Sequence, residues 1–198
     1  MTIMSQQRNK VRIIAGDYRR RLLPFPDSEG LRPTPDRVRE TLFNWLGQDM
    51  AGRRCLDLFA GSGALGFEAA SRRARQVVMV EKSRKVADSL RQNKALLGAA
   101  SIDVVGMDAL MYLKTVHQAF DVIFLDPPYG SDLLIQVLPL LGGLLSEDGV
   151  IYFEARQWPG LEGFELLRRD KAGAVHYGLA RRARASAETR SLSNDITG

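Results

Sequence analysis

The sequence predicts an α/β fold: a doubly wound, mostly parallel seven-stranded sheet with helices on both faces, closed at one edge by an antiparallel carboxyl-terminal hairpin and preceded by a small basic β-hairpin. Three observations predict it. Apolar runs at residues 55–59, 77–80, 102–105, 120–125 and 150–153 alternate with helix-length segments near 64–73, 83–97, 109–117 and 131–145, the pattern of strand–helix–strand crossovers. The first run leads into a Gly-x-Gly-x-x-Gly turn that opens a helix, the context in which that motif carries information. The ending departs from the alternation, because the runs at 164–168 and 175–180 are separated by a short charged turn containing glycine. With 198 residues, 45% of them apolar, the chain is long enough for one well-buried domain and short for two.

The elements follow in order. Residues 1–9 are polar and expected to be loose, and 10–25 read as two short strands, 11–15 and 21–23, around a Gly16-Asp17 turn. Arg8, Lys10, Arg12, Arg19, Arg20 and Arg21 stand there against Asp17 alone, a basic arm suited to phosphate contact with a nucleic acid and hence to salt-sensitive binding. The prolines at 24, 26, 33 and 35 keep the next stretch extended, and Asp36 is expected to cap a helix. Val38, Thr41, Leu42, Trp45 and Leu46 form its apolar stripe. The expected organisation is a basic extension over 1–30, the main domain over 31–182 and a frayed tail over 183–198. No apolar run approaches the roughly 18 residues of a membrane span. The single Cys55 excludes an internal disulfide, and with the widely separated His117 and His176 it offers no metal-ligand spacing. A cytoplasmic protein without membrane or metal is expected, with a monomer as the default.

In the stretch Leu56-Asp57-Leu58-Phe59-Ala60-Gly61-Ser62-Gly63-Ala64-Leu65-Gly66, Gly61 permits the tight turn, Gly63 lets a ligand approach the backbone, and Gly66 lets the helix pack on the sheet. Glu81 follows Gly61 by twenty residues and suits the hydroxyls of a ribose. The glycines alone do not separate a nicotinamide nucleotide from S-adenosylmethionine. Asp57 favours the second, since it would repel phosphates but accept the ammonium of an amino-acid moiety; the alternative is that it caps the loop backbone. Asp108, before Ala109, is in position to accept the adenine amine or to cap the helix that follows, or both. Phe59, Ser62 and Ala109 complete the expected cofactor cradle.

The fourth run ends in Asp126-Pro127-Pro128-Tyr129, at the edge where ligands of open α/β sheets bind. Two prolines remove donors and fix the backbone, so a carboxylate and carbonyls are aimed outward. Acceptors without donors suit a primary amine on a nucleobase: bonds to Asp126 and the Pro127 carbonyl favour a pyramidal nitrogen with its lone pair free. Tyr129 offers a face on which a flipped base can stack.

These motifs resemble the class I, Rossmann-like S-adenosylmethionine-dependent methyltransferases that modify exocyclic amines. With the segment Arg32-Pro33-Thr34-Pro35-Asp36-Arg37-Val38-Arg39-Glu40-Thr41-Leu42-Phe43-Asn44-Trp45-Leu46, the chain is similar, over about residues 11 to 182, to the RsmD family of 16S ribosomal RNA guanine-N2 methyltransferases. The resemblance implies methyl transfer to a guanine N2 amine of 16S rRNA on the small ribosomal subunit. It also implies that Arg32–Leu46 folds over the cofactor's methionine end, with roles for Thr34, Arg37 or Thr41. The family usually has glycine where Arg20 stands and often Arg-Gly-Ala at Arg73-Ala74-Arg75. An N6-adenine methyltransferase acting on DNA or RNA is the nearest alternative; glutamine-directed relatives usually carry Asn at the position of Asp126. A nicotinamide-dependent oxidoreductase is disfavoured by the lack of a Tyr-x-x-x-Lys pair and of chain for a substrate domain. A non-enzymatic RNA assembly factor would not need Asp57, Glu81 and Asp126 together.

Overall fold

A computed structural model of the chain describes residues 9–28 and 31–184; Arg8 and residues 185–198 of the expected tail lie outside them. The basic hairpin consists of β1 (Asn9–Arg12) and β2 (Leu22–Phe25), antiparallel with Val11 opposite Leu23. The first strand stops at Arg12 rather than continuing to Ala15. The Ile14 and Ala15 amides instead turn to the carboxylate of Glu68, at 2.8 and 3.1 Å, and so leave the ladder.

The helix α1 (Asp36–Leu46) buries Val38, Leu42 and Leu46 as the stripe predicts, while Thr41 and Trp45 are only half-buried. Asp36 is not its cap. Pro35 occupies the capping position, its carbonyl taking the Arg39 amide at 3.0 Å. Asp36 is the first helical residue, and its carboxylate turns to Arg12 at 2.7 Å and Arg39 at 2.6 Å, which leaves it no bond to the helix start.

Seven strands make the sheet: β3 (Arg54–Asp57), β4 (Gln76–Val80), β5 (Ile102–Val105), β6 (Phe120–Leu125), β7 (Leu145–Ala155), β8 (Phe164–Ala172) and β9 (Val175–Arg182), in the order β5-β4-β3-β6-β7-β9-β8. The first five run parallel; β9 is antiparallel to both β7 and β8. The expected terminal hairpin therefore closes the edge with its second strand inside. The helices α2 (Ala64–Ser71), α3 (Arg84–Leu97) and α4 (Ala109–Thr115) fall where the spacing predicts. The segment expected to be helical over 131–145 is helical only over α5 (Leu133–Val137), tightening into a 3₁₀ turn over Leu138–Leu140. Pro139 lacks the amide that an α-helix needs there, and Leu145 already belongs to β7. No helix among the described residues is long and apolar enough to cross a membrane.

On one face of the sheet an aromatic row runs from Phe43 to Phe124, Tyr152, Tyr177 and Trp45, with successive centroids 6.1, 6.4, 6.3 and 5.5 Å apart, fixing α1 over β6, β7 and β9. Such pairs add about 0.5–1.5 kcal/mol each beyond burial. The hairpin docks on the same side. Its reversal sits on the end of α2, where the Asp17 amide donates to the Ser71 carbonyl at 2.7 Å and the Tyr18 amide to the Ser71 hydroxyl at 2.9 Å.

Gly16 makes that approach geometrically accessible. Its φ is +80°, and a Cβ there would lie 1.9 Å from the Ser71 carbonyl oxygen. Gly16→Ala is expected to lower stability by about 3 kcal/mol, combining left-handed strain with a backbone clash, and to release the hairpin. A denaturation midpoint unchanged from wild type would refute the docking.

Candidate active site

The strand order reverses between β3 and β6, and a crevice opens at the carboxyl ends of the strands there, as in other open α/β sheets. It holds a cavity of about 220 Å³ walled by the turn after β3, the ends of β4 and β6, the turn before α4, and the stretch in front of α1. The glycine turn is built as its spacing predicts in part. Gly61 and Gly63 have φ of +50° and +81°, and a Cβ on Gly66 would meet the Met79 side chain of β4 at 2.9 Å. Gly61 and Ser62 face the cavity with Phe59. Gly63 differs from expectation: a Cβ there would strike Phe67 and Leu90 at 2.5 and 2.8 Å, so its constraint is toward the core.

Carboxylates dominate the floor. Asp57 is 2% exposed and its Oδ2 accepts the Gly66 amide at 2.9 Å, so the loop-capping alternative is realised while the side chain also lines the cavity. Burial, with Glu81 adding to it against the Gly66 bond, pushes its carboxyl up to about 7. Glu81 lines the cavity and ties two elements together, taking the Gly61 amide at 3.1 Å and the Ser83 amide at 2.7 Å. Asp108 caps α4 through the Leu110 and Met111 amides at 2.9 and 3.2 Å, and with Ala109 it lines the cavity. Arg32 and Lys82 are the cations of the lining.

Asp126 stands one residue past the Leu125–Phe153 pair of β6 and β7, which sets it level with Glu154. The Thr34 hydroxyl donates to its Oδ2 at 3.3 Å. Burial, then Glu154 and Asp57, holds its carboxyl well above the ordinary range. Glu154, 4% exposed, accepts the Tyr152 hydroxyl at 2.9 Å and is likewise raised by burial. Pro127 and Pro128 continue the wall, and Tyr129 is 44% exposed at the rim rather than packed in the core. Burial and Asp126 raise its phenol to about 12, so it stays neutral. The Arg156 guanidinium lies 5.5 Å over its ring.

Of the segment 32–46, Arg32 and Thr34 reach the cavity; Arg37 and Thr41 do not. Thr41 lies within α1, its hydroxyl donating to the Arg37 carbonyl at 3.0 Å. The hairpin cations divide. Lys10, Arg19 and Arg20 are exposed; Arg12 is ion-paired to Asp36, and Arg21 donates to the Leu96 carbonyl at 3.4 Å. Cys55 is buried, its thiol pushed up to about 12 by burial, as a structural residue.

Glu154 and the buried pair Arg39 and Glu68 escape the sequence reading. Glu154 carries the same signal as Asp57 and Asp126, an acid ending an apolar strand. Glu68 is the one charged residue of α2.

The chain matches the family described as "Conserved hypothetical protein 95" over residues 11–181. It is 44% identical over 179 residues to the "Ribosomal RNA small subunit methyltransferase D" of Escherichia coli strain K12, covering 87% of this chain and 90% of that protein. The Haemophilus influenzae protein of the same name is 44% identical over 181 residues, covering 87% and 94%. The solved structure of "Putative methyltransferase yhhF from Escherichia coli" superimposes with a TM-score of 0.81 at 42% identity, covering 88% of this chain and 98% of that one.

The titration of Asp57 has a defined sign. Its folded-state pKa near 7 lies above the ordinary 3.8, so its contribution to stability is complete below pH 4 and is lost as pH rises to 7. Asp57→Asn, which keeps an acceptor for Gly66 but no charge, is expected to gain on the wild type by up to about 4 kcal/mol across that window and to level off above it. Equal pH profiles in urea denaturation would contradict the burial assigned here.

Proposed function

Because the chain belongs to the Conserved hypothetical protein 95 family, the RsmD family of methyltransferases, we propose that it transfers a methyl group from S-adenosylmethionine to the exocyclic N2 amine of a guanine in 16S rRNA, on the assembled small subunit. The observation that carries this reading is the tetrapeptide Asp126–Tyr129 opening onto the acid-lined cavity, with Asp126 held by Thr34.

The cavity's chemistry fits S-adenosylmethionine. The ligand has a sulfonium and an ammonium, and Asp57 is a deeply buried carboxylate facing the cavity, which a cation would stabilise in its ionised form. In this reading Glu81 accepts the ribose hydroxyls, each oxygen keeping a lone pair beside its backbone bond. Asp108 accepts the adenine amine beside Phe59 and Ala109, and Gly61 and Ser62 form the cradle. Arg32 is available to the ligand's carboxylate. When bound, the ligand supplies a sulfonium-activated methyl group, with S-adenosylhomocysteine as the product left behind.

The chain's own residues supply position and acceptors. Tyr129 stacks the flipped base. The Asp126 carboxylate and the Pro127 carbonyl accept the two N–H groups of the amine and leave its lone pair free to form the new bond. Asp126 also suits the proton that the alkylated amine must lose: burial beside Glu154 raises its affinity for one. Lys10, Arg19 and Arg20 contact RNA phosphates, whereas Arg12 and Arg21 hold the hairpin in shape. One chain provides every residue of this reading, which therefore needs only a monomer.

Incubation with methyl-labelled S-adenosylmethionine, unmethylated small subunits, naked 16S rRNA and adenine-containing duplex DNA in parallel tests the proposal. Label in N2-methylguanosine is expected, reduced at least a hundredfold in Asp126→Asn with cofactor binding kept. Label in N6-methyladenine would replace the guanine reading, and an Asp126→Asn variant of wild-type rate would remove the tetrapeptide's role.

A further inference from the structure

We propose that a strip running out from Tyr129 at the pocket mouth, formed by Arg156, Trp158 and Arg169, is a second nucleotide site that stacks an unpaired nucleotide next to the one whose base enters the cavity. The inference rests on the RNA reading above and extends it to residues outside the cavity.

Among the described residues the exposed large hydrophobic side chains include two aromatics, Tyr129 at 44% and Trp158 at 39%. They lie along one continuous row of contacts. Arg156 covers the Tyr129 ring at 5.5 Å. The Arg156 carbonyl accepts the Nδ1–H of His176 at 2.9 Å, and the His176 ring lies 5.0 Å from Trp158. Arg169 then stands over Trp158 at 5.8 Å. Ring and guanidinium thus alternate away from the cavity.

The indole is fixed in orientation. Phe153, a core residue of β7, meets it edge-on at 6.2 Å and 81°, and His176 braces it from β9. A held aromatic left in water has exposed apolar area without a partner. Its neighbours are cations of a particular kind: Arg156 and Arg169 meet rings, whereas Arg181 is tied to Glu165 at 2.8 Å and Arg182 to the Gly142 carbonyl at 2.9 Å. Lys171 shares the alternating face of β8 with Arg169. A flat hydrophobic face flanked by guanidinium groups matches a nucleobase with its phosphate. RNA is recognised mainly through unpaired bases. Drawing one base into the cavity unstacks its neighbour, and a stack on Trp158 offsets part of that loss.

The test uses tryptophan fluorescence and kinetics together. The chain has two tryptophans, so Trp45→Phe leaves Trp158 as the reporter, with cofactor binding as the check on its fold. Titration with an unpaired oligoribonucleotide is expected to quench it saturably. In the otherwise natural chain, Trp158→Ala is expected to weaken binding of that oligonucleotide about tenfold and to raise KM for the RNA substrate similarly, with kcat and cofactor affinity unchanged; Trp158→Phe should restore most of the loss. No quenching, or a Trp158→Ala variant that binds the oligonucleotide like wild type, would overturn the strip. The two proposals separate cleanly. Quenching with no methyl transfer to RNA removes the proposed reaction and leaves the strip, whereas methyl transfer with KM unmoved by Trp158→Ala removes the strip and leaves the reaction. An effect confined to intact subunits, absent on free RNA, would assign the surface to a protein contact and overturn it as well.

Discussion

Glu68 has no exposure to solvent, yet its two oxygens gather four partners: the amides of Ile14 and Ala15, the guanidinium of Arg39 at 3.4 Å and that of Arg72 at 2.8 Å. A buried carboxylate without such partners would be lost to desolvation, and removal of one member of a buried pair costs about 3–5 kcal/mol. What the group fixes is arrangement. Arg39 also donates to the Arg12 carbonyl at 2.9 Å and the Thr34 carbonyl at 3.2 Å, and the Thr34 hydroxyl ends on Asp126. One charge on α2 therefore joins the basic hairpin, the start of α1 and the acid of the tetrapeptide, and α2 itself carries the glycine turn at its other end.

The same economy governs the cavity. Asp57, Asp126 and Glu154 end neighbouring strands and are held in surroundings that resist their ionisation. A cluster of that kind destabilises the empty protein and favours a cation, so the cost is placed where a positively charged ligand relieves it. Glu154 reaches the cluster from behind, through Tyr152 and the aromatic row that fixes α1, and thus couples the packing over the sheet to the acceptor at the site.

The parallel sheet, its closing hairpin and the cavity-lining acids were legible in the sequence because each depends on local signals: apolar runs, glycines with left-handed φ, and acids or prolines at strand ends. Arg20 has a φ of +67°, in the left-handed region that favours glycine. What local signals miss is pairing over long separations. Arg39 lies outside the apolar stripe that periodicity marks on α1, and only the meeting of α1, α2 and the hairpin buries it. Asp36 looks like a cap until Arg12, 24 residues away, claims its carboxylate. Over 131–145 the apolar content points to a longer helix than Pro139 allows.

Joined through Glu68, the hairpin, the stretch before α1 and the buried cluster are expected to open and close as one unit. Hydrogen exchange of Glu68→Gln, which keeps shape and removes charge, tests it most directly. The account predicts that residues 13–18 and 31–36 lose protection together, by a common factor, while β3 and β6 keep theirs. Faster exchange in 13–18 with 31–36 unchanged would show that the hairpin and the site are held independently, and would contradict it.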